Sequence, residues 1–200
     1  IFRGYMFKDY LANRGFKQFS KTSYICVRDE MLFTLSLNGQ KTKKEIWFAI
    51  YPISLPDLWI HMGWSPAAGS YPVKLDPHVS SENIEATLIK VVETKVLPFF
   101  DECKTLTELE KLYSLGNEKA KYPQAFTLLA MGEYSKGQWA LHELSEHFNE
   151  KYGGSQTDTI WKYVRLQTHE EIKACLLEER EKNIKKHKLV RHLKNANKGI

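Results

Sequence analysis

The chain of 200 residues has few cysteines: the three, Cys26, Cys103 and Cys175, lie far apart in the sequence. An odd and sparse set of cysteines does not build a disulfide framework, and no pair has the short spacing of metal ligands. Reduced thiols of this kind are typical of cytosolic proteins. We therefore expect a cytoplasmic protein with no disulfide, no bound metal and no cofactor.

Several other features that would indicate a particular class of protein are missing. No apolar run approaches the roughly 20 residues that a membrane-spanning helix needs, so we expect no association with a membrane. The sequence has no glycine-rich phosphate loop, and no serine or cysteine lies in a nucleophile elbow. His142 and His147 are five residues apart, whereas the zinc-protease helix needs a spacing of four. These absences favour a protein without catalytic activity, and an enzyme with a cryptic site is a further alternative.

Hydrophobic residues make up 42% of the chain and aromatic residues 12%, which is enough to build a core. Three segments in the first third are rich in β-branched, aromatic and aliphatic residues: Thr22–Arg28, Met31–Leu37 and Glu45–Ser54. Short polar breaks separate them, Asp29–Glu30 and a longer one that begins at Asn38–Gly39. This pattern predicts a three-stranded antiparallel meander.

Alternation within the predicted strands assigns their side chains to two faces. Met31, Phe33 and Leu35 share one strongly apolar face, which helices must cover. The other face is mixed, and Trp47 and Tyr51 are available on it for a half-buried surface.

The remaining residues predict helices and one long irregular segment. Leu58–Met62 is a possible fourth strand, and the loop Ser65–Ser81 is rich in proline, glycine and serine. Helical spacing and capping residues dominate from there onward, with Ser80 or Ser81 as one cap and Thr105 and Thr168 as others. We expect an α+β fold in which helices cover a three- or four-stranded antiparallel sheet on one face. Its division is an α+β domain at residues 1–115 and a helical extension at residues 116–200 that ends in a basic helix.

Five segments of the first half together resemble a bacterial family catalogued as domain of unknown function 4304. They are the end of the first helix at Asn13–Phe16, the strand segments Lys21–Val27, Leu32–Asn38 and Lys44–Ser54, and the helix end Val96–Asp101. The resemblance covers roughly Tyr5–Tyr113 and implies a small cytosolic α+β domain. It implies no activity and no functional residue, and Trp59–Trp64 and the chain beyond Leu115 depart from the family.

Two sets of residues are candidates for binding a partner. Aromatic side chains often anchor a protein partner, and the residues that bracket the long loop are Trp59, His61, Trp64 and Tyr71. They favour an interaction protein, of the immunity type for example, that uses the exposed sheet face and the loop.

The second set is basic. Arg180–Ile200 holds eight Lys or Arg and one Glu, a net charge of +7, which leaves −2 for the rest because the whole chain carries +5. A basic segment can contact phosphates, and the candidates are Lys185, Lys186, Lys188, Arg191 and Lys194. This favours nucleic-acid binding as the alternative function, although no aromatic residue is interleaved with the basic ones.

Overall fold

A computed structural model describes residues 5–39, 43–58, 66–75, 78, 80–151 and 155–190. Within these residues the sheet has five antiparallel strands, and its order follows the chain. The strands are β1 (Lys17–Gln18), β2 (Ser23–Arg28), β3 (Met31–Gly39), β4 (Lys43–Pro52) and β5 (Ala68–Lys74). The predicted meander is confirmed as β2, β3 and β4.

The turn between β2 and β3 consists of Asp29 and Glu30, because Arg28 pairs directly with Met31. Asp29 has a φ of 49°, which a two-residue hairpin turn requires and which aspartate tolerates better than most residues. This turn sets the register between β2 and β3.

The segment predicted as a long loop, Ser65–Ser81, contains β5 instead. Ala68–Lys74 pairs with β4 across seven residues, and Pro72 lies opposite Glu45 inside the strand. Because β5 is an edge strand, it tolerates a proline that a central strand would not accept. Leu58, at the start of the possible fourth strand, is in no strand, and 59–62 lie outside the described residues.

The helices are α1 (Tyr5–Ala12), α2 (Ser81–Val91), α3 (Leu97–Asp101), α4 (Leu106–Ser114), α5 (Glu118–Ala130), α6 (Tyr134–Lys151), α7 (Ser155–Val164) and α8 (His169–Lys186). A π-helical turn at Val92–Val96 joins α2 to α3, just before Pro98. The predicted caps are confirmed: Ser80 begins α2, and Thr105 and Thr168 form capping boxes at α4 and α8.

Helices pack against both faces of the sheet rather than one. Met31, Phe33 and Leu35 of the first face form one core with residues of α1, α2, α3 and α4. Leu32 and Tyr51 of the second face form another core with residues of α5, α6, α7 and α8. The α+β class with a helical C-terminal half is confirmed, and the second layer exists because half of the mixed face is apolar.

A close contact between α5 and α6 depends on Gly137. A methyl group at this position would lie within 2.6 Å of Leu129 Cγ and 3.1 Å of the Ala125 carbonyl oxygen. Leu129 is fully buried and has little room to move. Gly137 therefore allows the two helices to approach closely.

We expect Gly137→Ala to lower the free energy of unfolding by about 1–2 kcal/mol, because overpacking outweighs the better helix propensity of alanine. Urea unfolding followed by circular dichroism measures the change. The exposed Ser135→Ala on the same helix is the control, with an expected change below about 0.5 kcal/mol. Equal stability of the two variants would show that α5 and α6 have room for the methyl group.

Candidate functional site

The second face of the sheet is not covered along its whole length. On β4, Ala49 and Tyr51 are buried under the second helical layer, whereas Trp47 on the same face is 45% exposed. The register places Trp47 between Ser36 of β3 and Ser70 of β5. We call the group formed by the exposed Lys43, Trp47, Ser70 and Lys74 and the half-buried Glu45 the sheet-end surface.

Glu45 orders the centre of the sheet-end surface. Ser70 Oγ donates a hydrogen bond to its carboxylate over 2.7 Å, and the Trp47 side chain donates another. These bonds, first from Trp47 and then from Ser70, lower the pKa of the Glu45 carboxyl. The hydrogen bond to Glu45 thus orients the Trp47 indole on a paired strand, while much of the indole surface is exposed.

Two lysines lie at the end of this surface. Lys43 and Lys74 are direct cross-strand partners, and both are exposed. Like charges placed directly opposite each other in a sheet are destabilising. An anionic partner would relieve this repulsion, so the pair gives the surface an electrostatic preference.

Of the predicted aromatic group, Tyr71 is the member that lies among the described residues. Tyr71 belongs to the first face, where its ring stacks on Phe48 with centroids 5.4 Å apart and planes 14° from parallel. Trp59, His61 and Trp64 lie outside the described residues. The exposed aromatic residue of the second face is Trp47, whose only sequence signal was its place on the mixed face of β4.

The basic segment begins on α8, which polar side chains attach to the rest of the protein. Asn183 Nδ2 donates to the carbonyl oxygens of Ile53 and Leu55, each at 2.8 Å. The His187 ring Nε2 lies 2.9 Å from the Leu58 carbonyl oxygen and therefore donates to it. Arg180, three residues before Asn183 on α8, forms a bidentate ion pair with Glu30, at 2.7 and 3.0 Å.

These attachments hold the last turns of α8 at a defined position. Lys185, Lys186 and Lys188 are exposed there, and we call these three the basic end of α8. Arg191 and Lys194, the other two residues of the predicted basic set, lie outside the described residues. The structure therefore places three of the five basic candidates together.

A cleft of about 220 Å³ lies between α3 and α4. Its lining residues are Phe99, Glu102, Cys103, Glu108, Lys111, Leu112 and Leu115. Burial, with a smaller effect from Glu108, raises the pKa of the Cys103 thiol to about 12. Glu108 Oε2 accepts hydrogen bonds from the backbone amides of Lys104 and Thr105, so this carboxylate serves to cap α4.

Other buried polar groups show the same effect of burial. It raises the pKa of the hydroxyls of Tyr51, Tyr113, Tyr122 and Tyr163 and of the Cys26 thiol. Such groups stay protonated at neutral pH and are poor nucleophiles. Among the described residues, no three His, Cys, Asp or Glu side chains cluster closely enough to hold a metal ion.

None of the described helices combines the length and apolar character needed to cross a membrane. No family model, curated protein or solved structure matches the chain. The resemblance to domain of unknown function 4304 therefore stays a prediction from sequence motifs.

We expect Asn183→Ala to reduce the free energy of unfolding by about 1–3 kcal/mol, because two buried carbonyl oxygens lose their donor. Chemical denaturation provides the measurement. Glu181→Ala, an exposed change on the same helix, is the control and should stay within about 0.5 kcal/mol of the unmodified protein. If Asn183→Ala is as stable as this control, α8 does not depend on these hydrogen bonds.

We expect the thiol of Cys103 to resist alkylation in the folded protein. With a pKa of about 12, only about one molecule in 10,000 carries the thiolate near pH 8. Alkylation should accelerate as the pH rises toward 12, and it should be rapid in denaturant near pH 8. Peptide mapping by mass spectrometry after iodoacetamide treatment measures this, and rapid modification of the folded protein near pH 8 would contradict it.

Proposed function

We propose that this protein is a non-enzymatic interaction protein that binds a macromolecular partner through the sheet-end surface. The carrying observation is Trp47, an exposed indole that Glu45 orients on a paired strand. Tryptophan is among the residues that contribute most to binding energy at interfaces. A side chain that is ordered before binding also loses less conformational entropy in the complex.

The rest of the sheet supports this use of the surface. Ser36, opposite Trp47 on β3, is buried, and its hydroxyl donates to Ser23 Oγ over 3.0 Å. Trp47 therefore lies beside a row of side chains across the sheet in which Ser36 and Ser23 are hydrogen-bonded to each other. A partner that covers the indole would meet a surface whose polar neighbours already have hydrogen bonds, which lowers the cost of desolvation.

Catalysis has weaker support among the described residues. In the cleft between α3 and α4, the protonated Cys103 thiol is a poor nucleophile. The nearby Glu108 carboxylate is engaged by the start of α4, where it accepts backbone hydrogen bonds. This arrangement offers no activated nucleophile with a base beside it.

The proposal includes the cytosolic location that the sequence predicts. Cys26, Cys103 and Cys175 are all free thiols, which fits a reducing compartment. One form of such an interaction protein, which the sequence favours, is an immunity-type protein that occupies a partner protein.

We expect Trp47→Ala to abolish retention of the partner, because removal of an interface tryptophan typically costs about 2 kcal/mol or more. The immobilised full chain, Trp47→Ala and Trp139→Ala would each be incubated with native lysate, and the retained protein and nucleic acid would be quantified. Trp139 on α6 is the matched control, since it is 65% exposed and lies outside the sheet-end surface. Equal retention by all three chains would contradict the proposal.

A further inference from the structure

We propose that the sheet-end surface and the basic end of α8 together bind single-stranded nucleic acid, with an unpaired base stacked on the Trp47 indole. This inference rests on the function proposed above and names the class of partner. The basic segment has no aromatic residue of its own on which a base could stack. In the folded protein the sheet supplies one, Trp47.

The fold brings the two surfaces to the same end of the sheet. The ring of His187, the residue that follows α8, lies 6.4 Å from the Phe19 ring, centroid to centroid. Phe19 packs on the second core, and its amide donates to the Ser23 carbonyl oxygen over 2.8 Å. Ser23 pairs with Ser36, which pairs with Trp47. With strands about 4.8 Å apart, the backbone of Trp47 is only about 10 Å from that of Ser23.

The combined surface has the charge that a phosphate backbone requires. Lys43, Lys74 and the three lysines of the basic end of α8 are all exposed. Glu45 is the acid among them, and its carboxylate already accepts hydrogen bonds from Ser70 and Trp47. Lys43 and Lys74 lie four residues along β4 and β5 from the level of Trp47 and Ser70, and the basic end of α8 lies beyond Ser23 on the other side of Trp47. Lysines on two sides of the indole suit a strand whose phosphates run past a stacked base.

The geometry favours a single strand over a duplex. A base can stack on an indole only if its own face is free, and the bases of a duplex already stack on one another. Trp47 is presented by the paired strand β4, between β3 and β5, and not by a helix that could lie in a groove. A strand with free bases can use both the aromatic and the basic parts of the surface.

The test measures fluorescence anisotropy of labelled single-stranded DNA and RNA of about 12 nucleotides, a length within the usual site size of such surfaces. The full chain is titrated near 50 and near 200 mM salt. Neutralisation of up to about five phosphates predicts roughly 10- to 100-fold weaker binding at the higher salt. A duplex of the same sequence should bind at least about tenfold more weakly than the single strand.

Three variants separate the parts of the surface. Trp47→Ala should weaken binding about 5- to 150-fold through loss of stacking, whereas Trp47→Phe should restore part of it. Replacing both Lys43 and Lys74 with alanine should lower the salt slope by about 1.4, since each phosphate contact contributes about 0.7. Replacing Lys90 and Lys95, two exposed lysines on the helical layer of the first face, is the control and should change neither quantity.

Any other result overturns the inference. The kind of result also shows whether the proposed interaction function fails with it. Equal affinity for duplex and single strand, or binding that Trp47→Ala leaves unchanged, would show simple charge attraction without stacking. No binding of any oligonucleotide, together with a protein retained from lysate in a Trp47-dependent way, would overturn the nucleic-acid inference and leave the proposed interaction function in place. Thermal unfolding of each variant ensures that loss of binding is not loss of fold.

Discussion

The central strand β3 is buried on both of its faces from Met31 to Ser36, and the rest of the architecture follows from this constraint. A strand of this kind has to be covered twice, and one helical layer cannot do so. The side chains of Phe33 and Leu35 require the layer formed by α1, α2, α3 and α4. Leu32, with Tyr51 beside it on β4, requires the layer formed by α5, α6, α7 and α8. The C-terminal half is therefore part of the core of the sheet.

The second layer depends on polar contacts as well as apolar ones. Towards its end, α8 presents Asn183 and His187, which donate to backbone carbonyl oxygens after β4, and Arg180, which pairs with the β2–β3 turn. Side-chain bonds to backbone oxygens position a helix more specifically than nonpolar contact does, because each donor needs its acceptor in one place. The same contacts hold the basic end of α8 beside the sheet. Stability and the proposed binding surface thus share one set of interactions.

The sequence predicted local features well where a short pattern has one physical meaning. The meander followed from alternation and from Asp29–Glu30, and the capping boxes at Thr105 and Thr168 followed from a spacing of three. The positions of two prolines within regular secondary structure do not follow from local pattern. Proline favours the first turn of a helix, but Pro123 lies inside α5, which begins at Glu118 after the cap residue Asn117. Proline disfavours regular strands, yet Pro72 lies in β5, since an edge strand has one side without a partner.

Residue spacing alone determined which side chains share a face: Trp47, Ala49 and Tyr51 alternate with Phe48 and Ile50 whatever the rest of the chain does. It could not determine which part of a face would be covered. Trp47 is 45% exposed and Tyr51 fully buried, although they are four residues apart on one strand, because the second helical layer packs on Tyr51 and leaves Trp47 partly uncovered. Tyr71 lies on the first face of the sheet because β5 pairs with β4 in a register that puts Tyr71 opposite Ile46. No local sequence pattern specifies that register. Exposure, and with it the candidate binding surface, depends on contacts between residues far apart in the chain.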